Sequence, residues 1–168
     1  PNASGVLVVG IGLATKLLGL LTLDRKGYVA DISFVARTST DDADGQVVAT
    51  AAVPENLCDE EFARAACTKL VGTVYQLPPA VSAISVDGKR AYQLVREGKT
   101  PELAARRVSI YEATLLAVHK PSTTDESLVW TVAFDVSKGT YIRSIARDLG
   151  QSRGTEAHIS GLRRTFSG

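Results

Sequence analysis

Apolar and polar positions along the chain fall into a mixture of strand-like and helix-like periods. Gly5–Gly12 sets Val6, Leu7, Val8 and Val9 between glycines and predicts a buried strand. A short helix is predicted from Ala14 to Leu21. Tyr28–Ala36 alternates as a strand does, with Ala30, Ile32, Phe34 and Ala36 on one side and Val29, Asp31, Ser33 and Val35 on the other. A polar loop over 38–45 leads into a strand over Gln46–Val53. Asp59–Val71 carries Phe62, Ala65, Ala66, Lys69 and Leu70 at helical spacing, with acidic residues in its first turn and Gly72 after its end, and predicts a helix.

Pro78-Pro79 then interrupts the pattern. Val81–Val86 alternates and runs into Asp87-Gly88, a hairpin-turn pair, and a short helix over Tyr92–Glu97 stops at Gly98. Val108–His119 and Leu128–Ser137 read as a long antiparallel hairpin around the polar stretch Lys120–Glu126. Gly139-Thr140 opens a helix over Tyr141–Leu149. Its inner stripe is Ile142, Ile145, Ala146 and Leu149, with Arg143 and Arg147 one turn apart on the face away from it. Ile159–Phe166 is a last short strand. Strands outnumber helices and do not alternate strictly with them, which predicts an α+β fold with a mostly antiparallel sheet.

Composition narrows the classes. A chain of 168 residues, 45% apolar and 22% charged, can bury the core of one domain or of one domain with a large insertion. That excludes a disordered chain, a collagen and a disulfide miniprotein. The most apolar stretch, Gly5 to Leu23, is broken by glycines, threonines and Lys16, so no membrane span is expected. Cys58 and Cys67 lie nine residues apart on the predicted helix, too far to bridge. With no signal-peptide pattern, two free thiols predict a cytoplasmic protein. The chain has no methionine and runs from Pro1 straight into its first apolar segment, so a piece of a longer protein is expected.

Charge is uneven. Residues 1–88 hold six Lys/Arg against ten Asp/Glu, net −4, and residues 89–168 hold thirteen against eight, net +5. The second half can face a polyanion, although ordinary surface scatter accounts for the same numbers. No metal-ligand spacing exists: His119 and His158 are far apart, and neither cysteine pairs with another ligand. Gly10-x-Gly12 lacks the third glycine of a dinucleotide fingerprint and reads as close packing. Three local features invite more. Tyr28 in Lys26-Gly27-Tyr28 starts a strand, where it serves chemistry or simple rim packing. Lys138-Gly139-Thr140-Tyr141-Ile142-Arg143 presents Tyr and Arg at a helix start, or else a solvated basic face. Leu162-Arg163-Arg164 closes the basic stretch, or guards an edge strand with charge.

Taken in order, these pieces resemble the bacterial TruB-type tRNA pseudouridine-55 synthases. The match runs through Pro1-x-x-x-Gly5-Val6-Leu7 with Ala14-Thr15-Lys16, then Lys26-x-Tyr28, then Thr38-x-Thr40-x-Asp42-Ala43-x-Gly45. It continues through Gln76-x-Pro78-Pro79-x-x-Ser82-Ala83-x-x-x-x-Gly88-Lys89-x-x-Tyr92, which looks like the family's thumb insertion, here about 77–101. Gly139-Thr140-Tyr141-Ile142-Arg143, Asp148-Leu149-Gly150 and His158-x-x-x-Leu162-Arg163-Arg164 complete it. Each motif alone is weak; six in order are specific.

The resemblance implies a pseudouridine synthase fold and an isomerase. Such an enzyme flips one T-loop uridine out of its stack and turns it into pseudouridine, with no metal and no cofactor. It implies that Tyr28 stacks on the uracil and helps deprotonation, and that Arg143 holds a catalytic aspartate charged and aimed. It implies that Tyr141 and Leu162 line the uracil pocket and that Lys16 supports the local charge balance. Lys89, Arg90, Tyr92, Arg147, Arg163 and Arg164 would face the tRNA T-arm, and a monomer is expected. The family's aspartate directly precedes the proline that is Pro1 here, so the nucleophile, the upstream elements and the C-terminal RNA-binding extension are expected to lie outside these residues. The 168 residues alone are therefore expected to be inactive. Leu13 stands where the family commonly has arginine, and Val35 where a glycine is usual. A module that binds the T-arm without the nucleophile is the competing reading.

Overall fold

The long hairpin organises the molecule. The computed structural model describes residues 3–16, 24–123 and 126–168. In chain order these form β1 (Ala3–Gly5), β2 (Arg25–Phe34), β3 (Ala36–Thr38), β4 (Val47–Thr50), α1 (Glu60–Thr68) and β5 (Gly72–Gln76). They continue as β6 (Ser85–Val86), β7 (Lys89–Arg90), α2 (Ala91–Arg96), β8 (Arg106–His119), β9 (Val129–Ser137), α3 (Ile142–Ser152) and β10 (Ala157–Ser167). One six-stranded sheet runs β1-β10-β2-β9-β8-β5, and β3-β4 and β6-β7 form two small ribbons. Only the β1–β10 pairing in the large sheet is parallel, so the expected α+β, mostly antiparallel architecture is the one formed.

The alternation in β2 puts Ala30, Ile32 and Phe34 inside, against Val132, Phe134 and Trp130 of the neighbouring β9 and under α1 and α3. Phe34 and Trp130 meet edge to face at 4.9 Å between centroids, a pairing worth about 0.5–1.5 kcal/mol beyond the area it buries. The indole N–H of Trp130 donates to the Leu57 carbonyl at 2.9 Å, so the largest core ring leaves no donor unpaired. α3 lies close on β10 at Gly150, where a Cβ would sit 2.7 Å from the Ala157 nitrogen.

Several expectations change. The apolar run after β1 is neither a strand nor buried. β1 ends at Gly5 and pairs only with β10, and Val6, Leu7, Val8 and Val9 are exposed. An apolar run is buried only where another element covers it, and none of the described residues does so here. Gly12–Lys16 is a 3-10 turn, and the rest of the expected helix, 17–21, lies outside the described residues. Cys58 closes the 3-10 turn Glu55–Cys58 while Cys67 lies in α1, so the two do not share a helix. Asp59 breaks the run with extended backbone and caps α1 by accepting from the Phe62 N–H at 2.7 Å. That phase turns Ala63, Ala66 and Cys67 inward and leaves Ala65 and Lys69 exposed. β5, absent from the sequence reading, pairs with β8 from Gly72 to Gln76. The expected strand Val81–Val86 shrinks to Ser85–Val86, and Asp87-Gly88 makes the turn to β7. β10 sits inside the sheet between β1 and β2, so Arg163 and Arg164 do not guard an edge. Among the described residues, no helix is long and apolar enough to cross a membrane.

Candidate active site

Arg143 is the centre of the site. It occupies the first turn of α3 and is 8% exposed, not solvated as the helical wheel suggested. Its Nη1 donates to the Thr40 carbonyl at 2.8 Å and to Asp42 Oδ2 at 3.1 Å, and its Nη2 donates to the Val81 carbonyl at 2.9 Å. Three N–H donors are thereby used, and a guanidinium offers five in a planar fork. One turn on, Arg147 is also turned inward. It bonds Asp41 Oδ2 at 2.9 Å, the Leu77 carbonyl at 2.8 Å and Asp148.

The loop between β3 and β4 supplies both acids because it is tightly built. The Thr40 hydroxyl donates to Asp42 Oδ1 at 2.5 Å, the Asp44 N–H to the same oxygen at 3.1 Å, and the Thr38 hydroxyl to the Asp42 carbonyl at 2.6 Å. Asp41 adopts φ 59°, which short acidic side chains tolerate, and its carbonyl accepts from the Ile159 N–H at 3.1 Å. Consecutive acids on the loop thus meet arginines one helical turn apart. Burial raises the Asp41 pKa above its usual 3.8, and the opposing pull of Arg147 does not fully offset it.

Leu162 joins this cluster to the sheet. It lines a small cleft with Asp42, Arg143 and Gly161, and it stands opposite Ala30 of β2. Two residues along the same strand pair, Tyr28 stands opposite Arg164, on the sheet face that Ala30 and Leu162 share. Tyr28 and Leu162 both pack against the main core. The structure therefore brings Tyr28, Leu162 and Arg143 to one face of the sheet. Tyr141 precedes α3 and lines a larger cleft of about 530 Å³ with Arg143, Ser82, Tyr92 and Arg96. The Ser82 hydroxyl is buried there without a protein partner.

The remaining expected residues scatter more widely. Lys16 is exposed at the end of its turn and joins none of the bonds around Arg143. Lys89 pairs with Glu97 at 2.9 Å, and Arg90 donates to the Ala83 carbonyl at 2.7 Å, so both brace the β6–β7 ribbon. Tyr92 lies half-buried under Arg96, with 5.4 Å between the guanidinium carbon and the ring centroid. Arg163 is exposed, and Arg164 donates to the Val6 carbonyl at 2.6 Å. Lys26 has its pKa lowered, first by burial and then by Arg164 and Lys138, so these cations gather at one end of the sheet. No role for Asp41, Asp42, Gln76 or Ser82 follows from the sequence alone. The Thr-x-Asp spacing of the loop was the only available signal for Asp42.

The residues 1–142 match the family described as TruB family pseudouridylate synthase, N-terminal domain. The chain belongs to this family. It is 48% identical to a tRNA pseudouridine synthase B of Mycobacteroides abscessus over 168 residues, covering all of this chain and 55% of that protein. It is 44% identical to the protein of that name from Thermobifida fusca, again over the whole chain and 57% of the relative. The chain thus spans little more than half the length of these relatives. Among solved structures, it is similar to a Cbf5-Nop10-Gar1 complex, at 27% identity and a TM-score of 0.63, over all of this chain and 38% of the other. An H/ACA RNP bound to a substrate RNA containing 2'-deoxyuridine shares the fold, at a TM-score of 0.61 and 24% identity, over all of this chain and 36% of the other.

Proposed function

We propose that these residues are part of the catalytic domain of a tRNA pseudouridine synthase, which isomerises a T-loop uridine, position 55, in the cytoplasm and as a monomer. The observation that carries this reading is the shared face of Tyr28, Leu162 and Arg143. It sets a phenol, an apolar wall and a buried guanidinium on the same side of the sheet, where a planar base would be received. Relatives named tRNA pseudouridine synthase B support it, and the free Cys58 and Cys67 suit a reducing compartment.

The chemistry conserves every atom. The bond from ribose C1′ to N1 breaks, the uracil turns in its pocket, C1′ bonds to C5, and the proton from C5 is replaced by one on N1. A carboxylate from upstream of Pro1 acts on the nucleoside. The two unused N–H donors of Arg143 hold that carboxylate ionised while Asp42 holds the guanidinium still. Tyr28 stacks on the uracil and lies within reach of the C5 proton. Leu162 walls the small cleft beside Arg143 and Tyr141 the larger one, and with the base bound they exclude water from the guanidinium, which strengthens each charged contact there. The β6–β7–α2 thumb, about 77–101, and the exposed Arg163 face the T-arm backbone, while the inward bonds of Arg147 make it a brace.

The test is pseudouridine formation in a T-arm hairpin by the full-length gene product. Turnover is expected, and Tyr28→Phe is expected to slow it by roughly 10²- to 10⁴-fold while hairpin affinity stays within a few-fold. Binding without turnover by the unaltered protein favours the T-arm binding module instead. Normal turnover by Tyr28→Phe removes the assigned role of the phenol.

A further inference from the structure

Gln76 ends β5 and is 3% exposed. Its carboxamide meets one residue through both of its polar atoms. Nε2 donates to the Tyr141 carbonyl at 3.1 Å, and Oε1 accepts from the Tyr141 N–H at 2.9 Å. Tyr141 is the N-cap of α3 and has no side-chain cap of its own. Its N–H is one of the donors that a helix start leaves unpaired, and in a capping box the side chain three residues on takes it. Here a glutamine from a distant strand does so, and it fixes the peptide groups on both sides of the Tyr141 Cα.

The neighbouring bonds run the same way. The Ser144 hydroxyl donates to the Leu77 carbonyl at 2.8 Å, Arg147 Nη2 donates to the same oxygen at 2.8 Å, and Arg143 Nη2 donates to the Val81 carbonyl at 2.9 Å. The segment from Gln76 to Val81 is therefore sewn onto the first two turns of α3. Pro78 and Pro79 stiffen this segment, which forms the base of the thumb. Gln76 is the only link in this seam whose partner is the backbone of the residue that starts the helix.

We propose that Gln76 is a positioning residue. Its carboxamide sets the backbone of Tyr141 and thereby aims the Tyr141 ring and the Arg143 guanidinium, two residues along, while tying both to the base of the thumb. This builds on the function proposed above and adds a residue to it. A helix start released from this clamp rotates its first turn. Displacements of about 1 Å at reacting groups cost roughly 10²-fold in rate, whereas the thumb's RNA-facing side is untouched.

The test uses the full-length protein and four measurements: hairpin kinetics, amide exchange, pH profile and melting temperature. Gln76→Leu keeps the approximate volume and removes both bonds. Its kcat on the T-arm hairpin is expected to fall roughly 10- to 100-fold with KM within about twofold, and the Tyr141 amide to exchange faster while amides of β8 and β9 do not. Gln76→Glu covers the case in which the leucine variant fails to fold. The introduced carboxyl when ionised sets an oxygen against the Tyr141 carbonyl, and when protonated it donates an O–H there and restores both bonds. Its buried setting raises its titration above the usual carboxylate range, so its kcat relative to the parent is expected to climb as pH falls from about 8 to 6. A glutamine that merely fills space predicts a lowered melting temperature, an unchanged kcat per folded molecule and parallel pH profiles, and that result overturns the proposal. If the parent itself leaves the hairpin uridine unchanged, the functional reading fails; unchanged Tyr141 exchange in Gln76→Leu then rejects the clamp, and faster exchange keeps it.

Discussion

Arg143 and Arg147 show how a side chain's surroundings invert its meaning. On a helical wheel both face away from Ile142, Ile145, Ala146 and Leu149, which is the signature of a solvated side. In the molecule that side is covered by the loop after β3 and by the segment after β5, and each guanidinium is paired with an aspartate and a carbonyl. Buried pairs of this kind contribute little net stability, because desolvation offsets attraction, yet removing one partner is costly. Asp41 allows a signed test. Its folded pKa lies above its usual 3.8. The native state therefore holds more protons than the unfolded chain just above pH 3.8, and this group's contribution falls as pH rises through that window. Asp41→Asn removes the titration but keeps an oxygen for Arg147. The expected outcome, measured by calorimetry from about pH 4 to pH 6, is a melting temperature that climbs more steeply with pH than the parent's. Parallel curves would show that Asp41 is not perturbed. The Asp42 partnership was half legible: the loop motif drew attention to the residue, but a motif does not say which distant cation a carboxylate meets.

Among the elements, the junction of β2 and β3 carries a visible cost. Val35 adopts φ 103°, a region that β-branched residues avoid, because its N–H donates to Glu156 at 2.8 Å and its carbonyl accepts from Ala51 at 3.0 Å. These bonds hold the turn that swings the chain from the large sheet into the β3–β4 ribbon and so delivers the acidic loop to Arg143. Val35→Gly relieves the strain, worth about 1–3 kcal/mol, and gives back about 0.5–1 kcal/mol in chain entropy. The expected net is about 1 kcal/mol of added stability, read as a higher urea midpoint at unchanged slope; a lower midpoint would show that the valine is not strained. Elements with a clean period were readable in advance: β2, β8, β9 and α3 have an alternating or 3.6-residue stripe that one buried face imposes. β5 was not, because Gly72-Thr73-Val74-Tyr75-Gln76 lies at the sheet edge and is exposed except at Gln76, so no burial pattern marks it.

Across the whole molecule, the positive half of the chain folds into two kinds of arginine and lysine. Those of α3 and the β6–β7 ribbon are tied to carbonyls and carboxylates, whereas Arg163 is exposed on β10. Binding of the T-arm by the full-length protein is expected to weaken linearly with the logarithm of salt. Arg163→Gln is expected to reduce that slope by about one phosphate contact. A slope unchanged by the substitution would place Arg163 away from the RNA. The sequence by itself determined the α+β class, the central hairpin, the inner stripe of α3 and the family, because periodicity and ordered motifs are local properties of a chain. Only the tertiary structure decided that a loop, a strand end and a helix start converge on Arg143, and that Gln76 rather than a neighbouring residue caps Tyr141. Such partners are 62 to 103 positions apart, and no local pattern specifies which buried donor will meet which acceptor once the sheet has closed beneath them.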